Sequence, residues 1–287
     1  MSIKKTIKDG RWWSKAWSLV DGCTPVSAGC DNCWSAAMAH RFKQGLTDNV
    51  KFNGAIKIRE DNLELPLKTK KPTVFSVWND LFHGNVPTEF IAKAFEVMVF
   101  CRYTCKKQHE HDGNCETEEK TEHTYLILTK RPQRMQKFLN DLPNYVGRDG
   151  VWPPTNIWLG TSIENQQTAD ERIPHLLQIP GKKFLSIEPL LGIINLHQYF
   201  WTASGAKTNS IQQVVCSGET GHNARPCHPD WVRSIRDQCQ TAGVPYFFKG
   251  WGKWIPTAGL DAEYHSQGDK YWRSEIDHRT HDDLAWR

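Results

Sequence analysis

The sequence predicts an α/β protein that folds as a partial (β/α) barrel of about six to seven units. The first observation is that apolar, strand-like segments alternate with helix-like segments about seven times along the chain. This order is typical of parallel strands joined by helical crossovers. The second is that polar or charged side chains follow most of these strands without a gap. No GxGxxG or P-loop sequence is present, so a fold built around nucleotide phosphates has no support.

The first two units show this pattern. An apolar strand is predicted at residues 17–20, and an alanine-rich helix is predicted at 35–42. The second strand, at 73–78, is β-branched and aromatic, and a helix at 89–100 follows it. Residues 51–67 mix charged and apolar side chains, so we assign no element to them.

Five further strands are predicted, each short and apolar. They lie at residues 125–128, 156–159, 183–185, 213–216 and 246–248. The remaining helices are predicted at 133–139, 165–177 and 231–242. We therefore divide the chain into a single barrel at 1–255, a Cys/His-rich insertion within it at 101–123, and an irregular tail at 256–287.

Three cysteines lie within eleven residues of a loop between the first strand and the first helix, in a C-x6-C-x2-C pattern: Cys23, Cys30 and Cys33. Three thiolates on one loop can hold three irons of a [4Fe–4S] cluster and leave the fourth iron open. Structural zinc is the alternative, with Asp21, Asp31 or His40 as its fourth ligand. The C-x2-C spacing occurs in both kinds of site, but the strand–loop–helix placement and the barrel pattern favour the cluster. Disulfides are the third and weakest option.

The cysteine loop resembles that of the radical S-adenosylmethionine (SAM) enzymes, where an aromatic residue usually adjoins the last cysteine, as Trp34 does here. The first spacing departs from the common C-x3-C-x2-C pattern by three extra residues. The match is closer to the phage Gp37/Gp68-like family of radical-SAM-like proteins, and it covers about residues 12–254. It rests on GCTPVSAGCDNCW, VWNDLFHGNVP, LTKRPQRM, GTSIEN, FLSIEPLLG, CSGETGHNARPCHPDWVRSIRDQC and VPYFFKGWG.

This resemblance implies a radical SAM enzyme whose reduced [4Fe–4S] cluster cleaves SAM and starts radical chemistry on a substrate. The open iron would bind the amino and carboxylate groups of SAM, and an electron donor would reduce the cluster. The family's reaction is not implied. A nucleotide or a base in nucleic acid is one candidate substrate, and a peptide or small metabolite would leave the same residues. The alternative function is that of a zinc-stabilised nucleic-acid-binding or partner-recruiting protein without radical chemistry.

The polar residues at the predicted strand ends are candidate ligand-binding residues, because in such barrels the site lies at the carboxyl ends of the strands. Lys130 or Arg131 would provide a cation for the SAM carboxylate, and Asp80 would accept hydrogen bonds from its ammonium group. The ribose hydroxyls suit Ser162, Glu164 or Glu188, and the adenine would pack near Trp34. The full set expected to bind SAM is Trp34, Asn79, Asp80, Lys130, Arg131, Ser162, Glu164 and Glu188, and the set left for the substrate is Glu219, Arg225 and Lys249.

The insertion at 101–123 is dense in cysteine and histidine, which suggests a small zinc site. Its candidate ligands are Cys101, Cys105, His109, His111, Cys115 and His123. Four ligands cannot be chosen from these six by sequence. The alternative is a solvated, charged loop whose thiols are incidental.

Composition suits a soluble globular protein of the cytoplasm, with 39% hydrophobic and 24% charged residues. There is no apolar run of transmembrane length, and the basic N-terminus lacks the apolar core of a signal peptide. Nine cysteines in a cytoplasmic chain indicate metal or redox chemistry. A net charge of +4 is compatible with a polyanionic partner but falls short of a dedicated nucleic-acid binder. Trp12, Trp13 and Trp17 could stack on bases, although burial in the core is the commoner role of such residues.

Overall fold

A seven-stranded parallel sheet forms the centre of the protein. The computed structural model describes residues 11–100, 103–104, 121–141 and 153–256 (apart from 203, 207 and 209), and the segments 264–266, 275–276 and 279–285. The strands of the sheet are β1 (Lys15–Ser18), β2 (Val74–Trp78), β3 (Thr124–Thr129), β4 (Ile157–Ser162), β5 (Lys182–Ile187), β6 (Gln213–Ser217) and β7 (Tyr246–Gly250).

Strands that are neighbours in the sheet are also neighbours in the chain, in the order β1 to β7, and every pairing is parallel. The sheet curls into a half-barrel. Parallel neighbours need long crossover connections, and helices supply most of them. The predicted partial (β/α) barrel is therefore confirmed.

Six α-helices lie in the described part of the chain. They are α1 (Trp34–Arg41), α2 (Thr88–Phe100), α3 (Pro132–Asp141), α4 (Gln166–Leu177), α5 (His197–Phe200) and α6 (Pro229–Ala242). Helix α4 begins with a capping box. The side chain of Asn165 accepts a hydrogen bond from the backbone N–H of Thr168, and the side chain of Thr168 accepts one from the backbone N–H of Asn165. None of the helices in the described part of the chain is long and apolar enough to cross a membrane.

The core has two parts because successive side chains of a strand point to opposite faces. One face packs against the helices and carries most of the buried apolar residues, including Phe75, Ile127 and Leu185. The other face lies inside the half-barrel, where its side chains and Trp12, which precedes β1, form a smaller cluster: Trp12, Val74, Leu126, Trp158, Phe184, Val215 and Phe247. The inside of the half-barrel is thus filled with apolar side chains at mid-sheet, so any ligand must bind nearer the strand ends.

The first predicted strand, at 17–20, was wrong in its boundaries, because it joins parts of two strands. The sheet strand ends at Ser18, and Val20–Gly22 pairs antiparallel with Ile56–Ile58. The chain leaves the sheet because the Leu19 carbonyl accepts a hydrogen bond from the Arg59 N–H (2.9 Å). Residues 51–67, which received no assignment, therefore supply the partner strand for the start of the cysteine loop.

Short antiparallel pairs complete the described structure: Thr47–Asp48 with Lys51–Phe52, Tyr103–Thr104 with Thr121–Glu122, Trp254–Pro256 with Tyr264–Ser266, and Glu275–Ile276 with Arg279–Thr280. Beyond residue 256 the chain also returns to the sheet, where the Phe248 N–H donates to the His281 carbonyl (2.8 Å). The domain division at 255/256 stays a prediction.

Candidate functional site

A cavity of about 280 Å³ opens at the carboxyl ends of the strands. This size is near the lower end of small-molecule sites. The cysteine loop forms part of its wall, and the ends of β2 to β7 form much of the rest. The predicted site residues that line it are Cys23, Cys30, Cys33, Trp34, Asn79, Asp80, Lys130, Arg131, Ser162, Glu188, Glu219 and Lys249. Glu164 and Arg225 are outside the lining.

Strand alternation explains why these polar residues reach the cavity. The inner face of β5 presents Phe184 at mid-sheet and then Ser186, and the next residue of the same parity is Glu188. The inner face of β4 similarly continues to Ser162. At Gly160 a Cβ would lie 2.4 Å from the Phe184 ring, so the inner face of the sheet packs closely against this glycine.

The three cysteines occupy successive parts of the loop. Cys23 follows the Val20–Gly22 strand, Cys30 ends a short 3-10 turn (Ala28–Cys30), and Cys33 lies at the N-cap position of α1. All three thiols are half-buried and none is in a disulfide. Burial raises the pKa of Cys23 to about 11, and Asp80 acts in the same direction while Arg131 opposes it. Burial also raises the pKa of Cys33.

Three thiols on one wall of a cavity suit the donor set of an iron–sulfur cluster, which takes thiolates as its protein ligands. Among the described residues, no three His, Cys, Asp or Glu side chains are grouped so as to hold a single metal ion. A cubane cluster does not require such convergence, since each cysteine binds a different iron. Cations near the thiols also suit an anionic group: Arg131 Nη1 lies 3.8 Å from Cys23 Sγ.

The first contact that holds the loop runs from Asp80 through Arg131. Asp80 is buried, and its carboxylate accepts hydrogen bonds from Arg131 Nη1 (2.6 Å) and Thr129 Oγ1 (2.6 Å). Arg131 in turn donates to the carbonyl of Thr24, next to Cys23 (3.0 Å). Burial would lower the pKa of Arg131, but Asp80 and Cys23 outweigh it and raise that pKa.

The second contact is centred on Glu164, whose side chain is fully buried. It pairs with Lys130, and its Oε2 lies 3.1 Å from Nη1 of Arg172. Ser27 Oγ donates to Glu164 Oε1 at 3.0 Å. Burial would raise the pKa of Glu164, but the two cations hold it below its usual range. A Cβ on Gly29 would lie 2.5 Å from the Glu164 side chain, so the loop packs directly on this group.

The third contact joins the loop to the end of β6. Glu219 accepts hydrogen bonds from Arg225 Nη2 (2.6 Å) and from Asn32 Nδ2 (3.1 Å). Arg225 Nη2 also donates to the carbonyl of Ala28 at 2.7 Å. Burial would raise the pKa of Glu219, but the hydrogen bonds from Arg225 and Asn32 lower it.

The fourth contact fixes the start of α1. Asn79 adopts a left-handed backbone conformation (φ 57°) just after β2. Its side chain accepts from Ser35 Oγ (2.6 Å) and donates to the carbonyl of Val20 (2.7 Å). We call the residues of these four contacts the loop anchors: Asn79, Asp80, Lys130, Arg131, Glu164, Arg172, Glu219 and Arg225 on the barrel side, and Ser27, Asn32 and Ser35 on the loop side.

The structure thus gives several predicted ligand-binding residues a different set of partners. Asp80 and Arg131 pair with each other, as do Glu219 and Arg225, and each pair holds the loop. Glu164, one of the residues expected to bind SAM, is buried beneath the loop. Whether these groups also contact SAM or substrate stays a prediction.

Glu188 and Lys249 form a different kind of pair in the cavity. Lys249 Nζ donates to Glu188 Oε1, linking the ends of β5 and β7. Both side chains line the cavity and are partly exposed, at 18% for Lys249 and 24% for Glu188. This pair is therefore positioned to present a donor and an acceptor to a bound molecule.

Aromatic residues form another part of the wall. Trp34 contacts Trp78 edge to face, with ring centroids 5.0 Å apart, and Trp78 contacts Trp13 in the same way at 5.6 Å. Trp12 lies deeper and contacts Phe184 at 5.6 Å. Trp17 is fully buried in the core, which is the role that the sequence favoured over stacking on bases.

Most candidate ligands of the insertion lie outside the described residues: Cys101, Cys105, His109, His111 and Cys115. His123 is described and buried. Its Nδ1 accepts from the Thr73 N–H (3.2 Å), and its Nε2 lies 3.1 Å from the Thr69 carbonyl. In this arrangement both ring nitrogens are engaged with backbone groups.

Sequence reasoning missed Ser27, Asn32 and Arg172 as site residues. Serine and asparagine are common in turns, so the presence of Ser27 and Asn32 in a predicted loop gave no sign of a further role. Arg172 is on α4, eight residues after Glu164, and a helical arginine ordinarily faces solvent. Its burial against Glu164 gives no signal in the sequence.

A family model described as "Protein of unknown function (DUF5131)" matches residues 8–285, so the chain belongs to this family. No curated protein and no solved structure is significantly similar to the chain. The family description states no activity. The resemblance to radical SAM enzymes and to the phage Gp37/Gp68-like family therefore stays a prediction.

Proposed function

We propose that this member of the DUF5131 family is a radical SAM enzyme that binds a [4Fe–4S] cluster through Cys23, Cys30 and Cys33. One observation carries the proposal. The three thiols line the same cavity as the strand ends of a parallel half-barrel, which is where such barrels place their chemistry. When bound, a reduced cluster supplies the electron that cleaves SAM into methionine and a 5′-deoxyadenosyl radical able to abstract a hydrogen atom.

The chain's own residues have three tasks in this proposal. The loop anchors hold the thiols in one arrangement before the cofactor arrives, which reduces the ordering cost of binding. Arg131 and Lys130 place positive charge near the thiolates. Because burial raises the pKa of Cys23 and Cys33, cluster binding must also displace their protons.

SAM and substrate would use the groups of the cavity that face its interior. The hydroxyls of Ser162 and Ser186 are on the inner face and can bond ribose hydroxyls. Glu188 and Lys249 offer a carboxylate and an ammonium group to polar parts of either ligand. Trp34 and Trp78 provide flat apolar surface for a ring.

The test is anaerobic reconstitution with iron and sulfide, followed by elemental analysis. The wild-type protein should retain about four irons and four sulfides per chain, as one cubane cluster requires. Replacing all three cysteines with alanine should abolish this retention. With dithionite and SAM, the reconstituted wild type should release 5′-deoxyadenosine slowly even without substrate.

The same samples distinguish the zinc-stabilised binding protein. A cluster protein purified without oxygen is brown, whereas a zinc protein is colourless and retains zinc. A brown protein that neither binds SAM nor yields 5′-deoxyadenosine would refute the enzyme and leave a structural or redox-sensing cluster. Zinc that persists in the triple-alanine protein would support a second site in the insertion.

A further inference from the structure

Helix α1 is apolar on the side that faces solvent. Its buried residues are the small Ala36 and Ala39, while Trp34, Met38 and Phe42 are 46%, 44% and 63% exposed. These three are spaced four residues apart, so they lie on one face, about 6 Å from one to the next. A helix that packs on a protein normally buries its large apolar residues.

The exposed large apolar side chains are concentrated around α1. Five of the seven large apolar side chains exposed among the described residues lie between 26 and 50, on the cysteine loop, α1 and the turn after them. Single exposed apolar residues need no explanation, but a contiguous patch marks an interaction site. The row of Trp34, Met38 and Phe42 therefore indicates a surface that another molecule covers.

The charged residues on the row's own segment are cations. Arg41 is seven residues after Trp34 and three after Met38, so it shares their face, and Lys43 follows Phe42. Both are exposed, and residues 34–46 contain no acidic side chain. Aromatic and apolar groups alternating with cations are the features that bind a single-stranded nucleic acid, where bases stack and phosphates pair with Lys and Arg.

The row also leads into the cavity. Trp34 is both the first residue of the exposed row and part of the cavity wall, where it contacts Trp78. Trp13 continues the aromatic surface, with the Arg11 guanidinium 5.9 Å from its ring centroid. A narrow path of this kind suits a flexible strand better than a globular partner, which needs about 800 Å² of surface on each side.

We propose that the exposed face of α1 binds a single-stranded nucleic acid and leads one of its bases into the cavity. The binding itself is independent of the cofactor. The assignment of that base as the substrate rests on the radical SAM function proposed above.

The test measures binding of fluorescein-labelled oligo(dT) and oligo(U), 15 nucleotides long, and of a DNA duplex of equal length, by fluorescence anisotropy. The full chain is used both cluster-free and reconstituted. Wild type should bind both single strands more tightly than the duplex. Phe42→Ala should weaken single-strand binding about five- to a hundredfold, the effect of removing one stacking side chain.

The cations are tested through salt dependence. Each phosphate contact to a single strand contributes about −0.7 to the slope of log K against log salt. The double variant Arg41→Ala/Lys43→Ala should therefore make the slope shallower by about 1.4. Matched controls are Leu67→Ala and Ile193→Ala for exposed apolar residues and Lys70→Ala/Lys71→Ala for exposed cations, and these should leave affinity and slope unchanged.

Three results would overturn the proposal: no oligonucleotide binding by wild type in 50 mM salt, equal affinity for duplex, or variants of α1 that behave like the controls. In the last case a protein partner covers the row instead. Binding that depends on α1 while no 5′-deoxyadenosine forms would refute the enzyme but keep the nucleic-acid surface. If 5′-deoxyadenosine forms but oligonucleotide binding does not depend on α1, the radical SAM function stands and single-stranded nucleic acid is removed as its substrate class.

Discussion

Replacing Glu164 with glutamine should release the cysteine loop from the barrel. Glu164 accepts a hydrogen bond from Ser27 on the loop and faces Lys130 and Arg172 on the other side. Glutamine keeps the shape but removes the negative charge, and its amide donors would face two cations. Removing one partner from a buried ion pair costs about 3–5 kcal/mol. Since Lys130 keeps some exposure, we expect global destabilisation nearer 3 kcal/mol, measured by urea unfolding of the cluster-free protein.

The local effect on the loop is read by amide hydrogen exchange. The N–H groups of Cys30 and Asp31 bond to the carbonyls of Ser27 and Ala28 within the loop, so their protection reports loop opening. A hydrogen bond to a charged group contributes about 1.5–3 kcal/mol. Its loss should therefore speed exchange of peptides covering 24–32 by about ten- to a hundredfold.

Two matched variants make this reasoning refutable. Ser27→Ala removes only the loop's side of the bond, so exchange should rise while global stability falls by less than in Glu164→Gln. Lys249→Met breaks the pair with Glu188, which joins the ends of β5 and β7, and should leave exchange at 24–32 unchanged. If Glu164→Gln leaves loop exchange at the wild-type rate, or Lys249→Met raises it equally, the anchoring role of Glu164 is wrong.

Three further predictions concern Glu164 and the close packing at Gly29 and Gly160. First, the pKa of Glu164 is lowered in the folded protein, so its stabilisation is fully present above the unfolded value near 4.5 and is lost as pH falls through the lower folded value; the stability gap between wild type and Glu164→Gln should therefore shrink below about pH 4.5 in urea titrations. Second, Gly29→Ala should destabilise the loop by about 1–3 kcal/mol, because the new Cβ would lie 2.5 Å from Glu164; exchange at 24–32 that matches wild type would contradict this close contact. Third, Gly160→Ala should lower the free energy of unfolding in urea titrations by a similar amount, because its Cβ would lie 2.4 Å from the Phe184 ring. The double variant Gly160→Ala/Phe184→Leu should recover part of that loss.

The fold could be predicted because its signals are local. Each buried strand is a short apolar run, and sequential parallel order follows from alternation with helices. The boundary of β1 could not be predicted, since Leu19 is as apolar as its neighbours. Its carbonyl is taken by Arg59, forty residues later, and no local pattern records that bond.

The candidate site divides in the same way. The shared position of Cys23, Cys30 and Cys33 follows from their spacing on one loop. The partners of the strand-end charges do not, because the bonds that decide them join distant residues: Ser27 to Glu164 spans 137 positions, and Asn32 to Glu219 spans 187. Sequence alone therefore predicts where the charges lie but not which residues of the protein pair with them.

The buried carboxylates at the strand ends favour one position of the cysteine loop. A buried carboxylate is costly unless a cation and hydrogen bonds accompany it. Glu164 and Glu219 each meet this need with a cation and with a side chain of the cysteine loop, whereas Asp80 reaches the loop only through Arg131. Loosening the loop would therefore leave Glu164 and Glu219 with fewer partners, so the barrel's own electrostatics favour one loop position. A cofactor that binds these thiols would then find its ligands already placed, while the pair of Glu188 and Lys249, which lines the cavity, would be left to meet a second ligand.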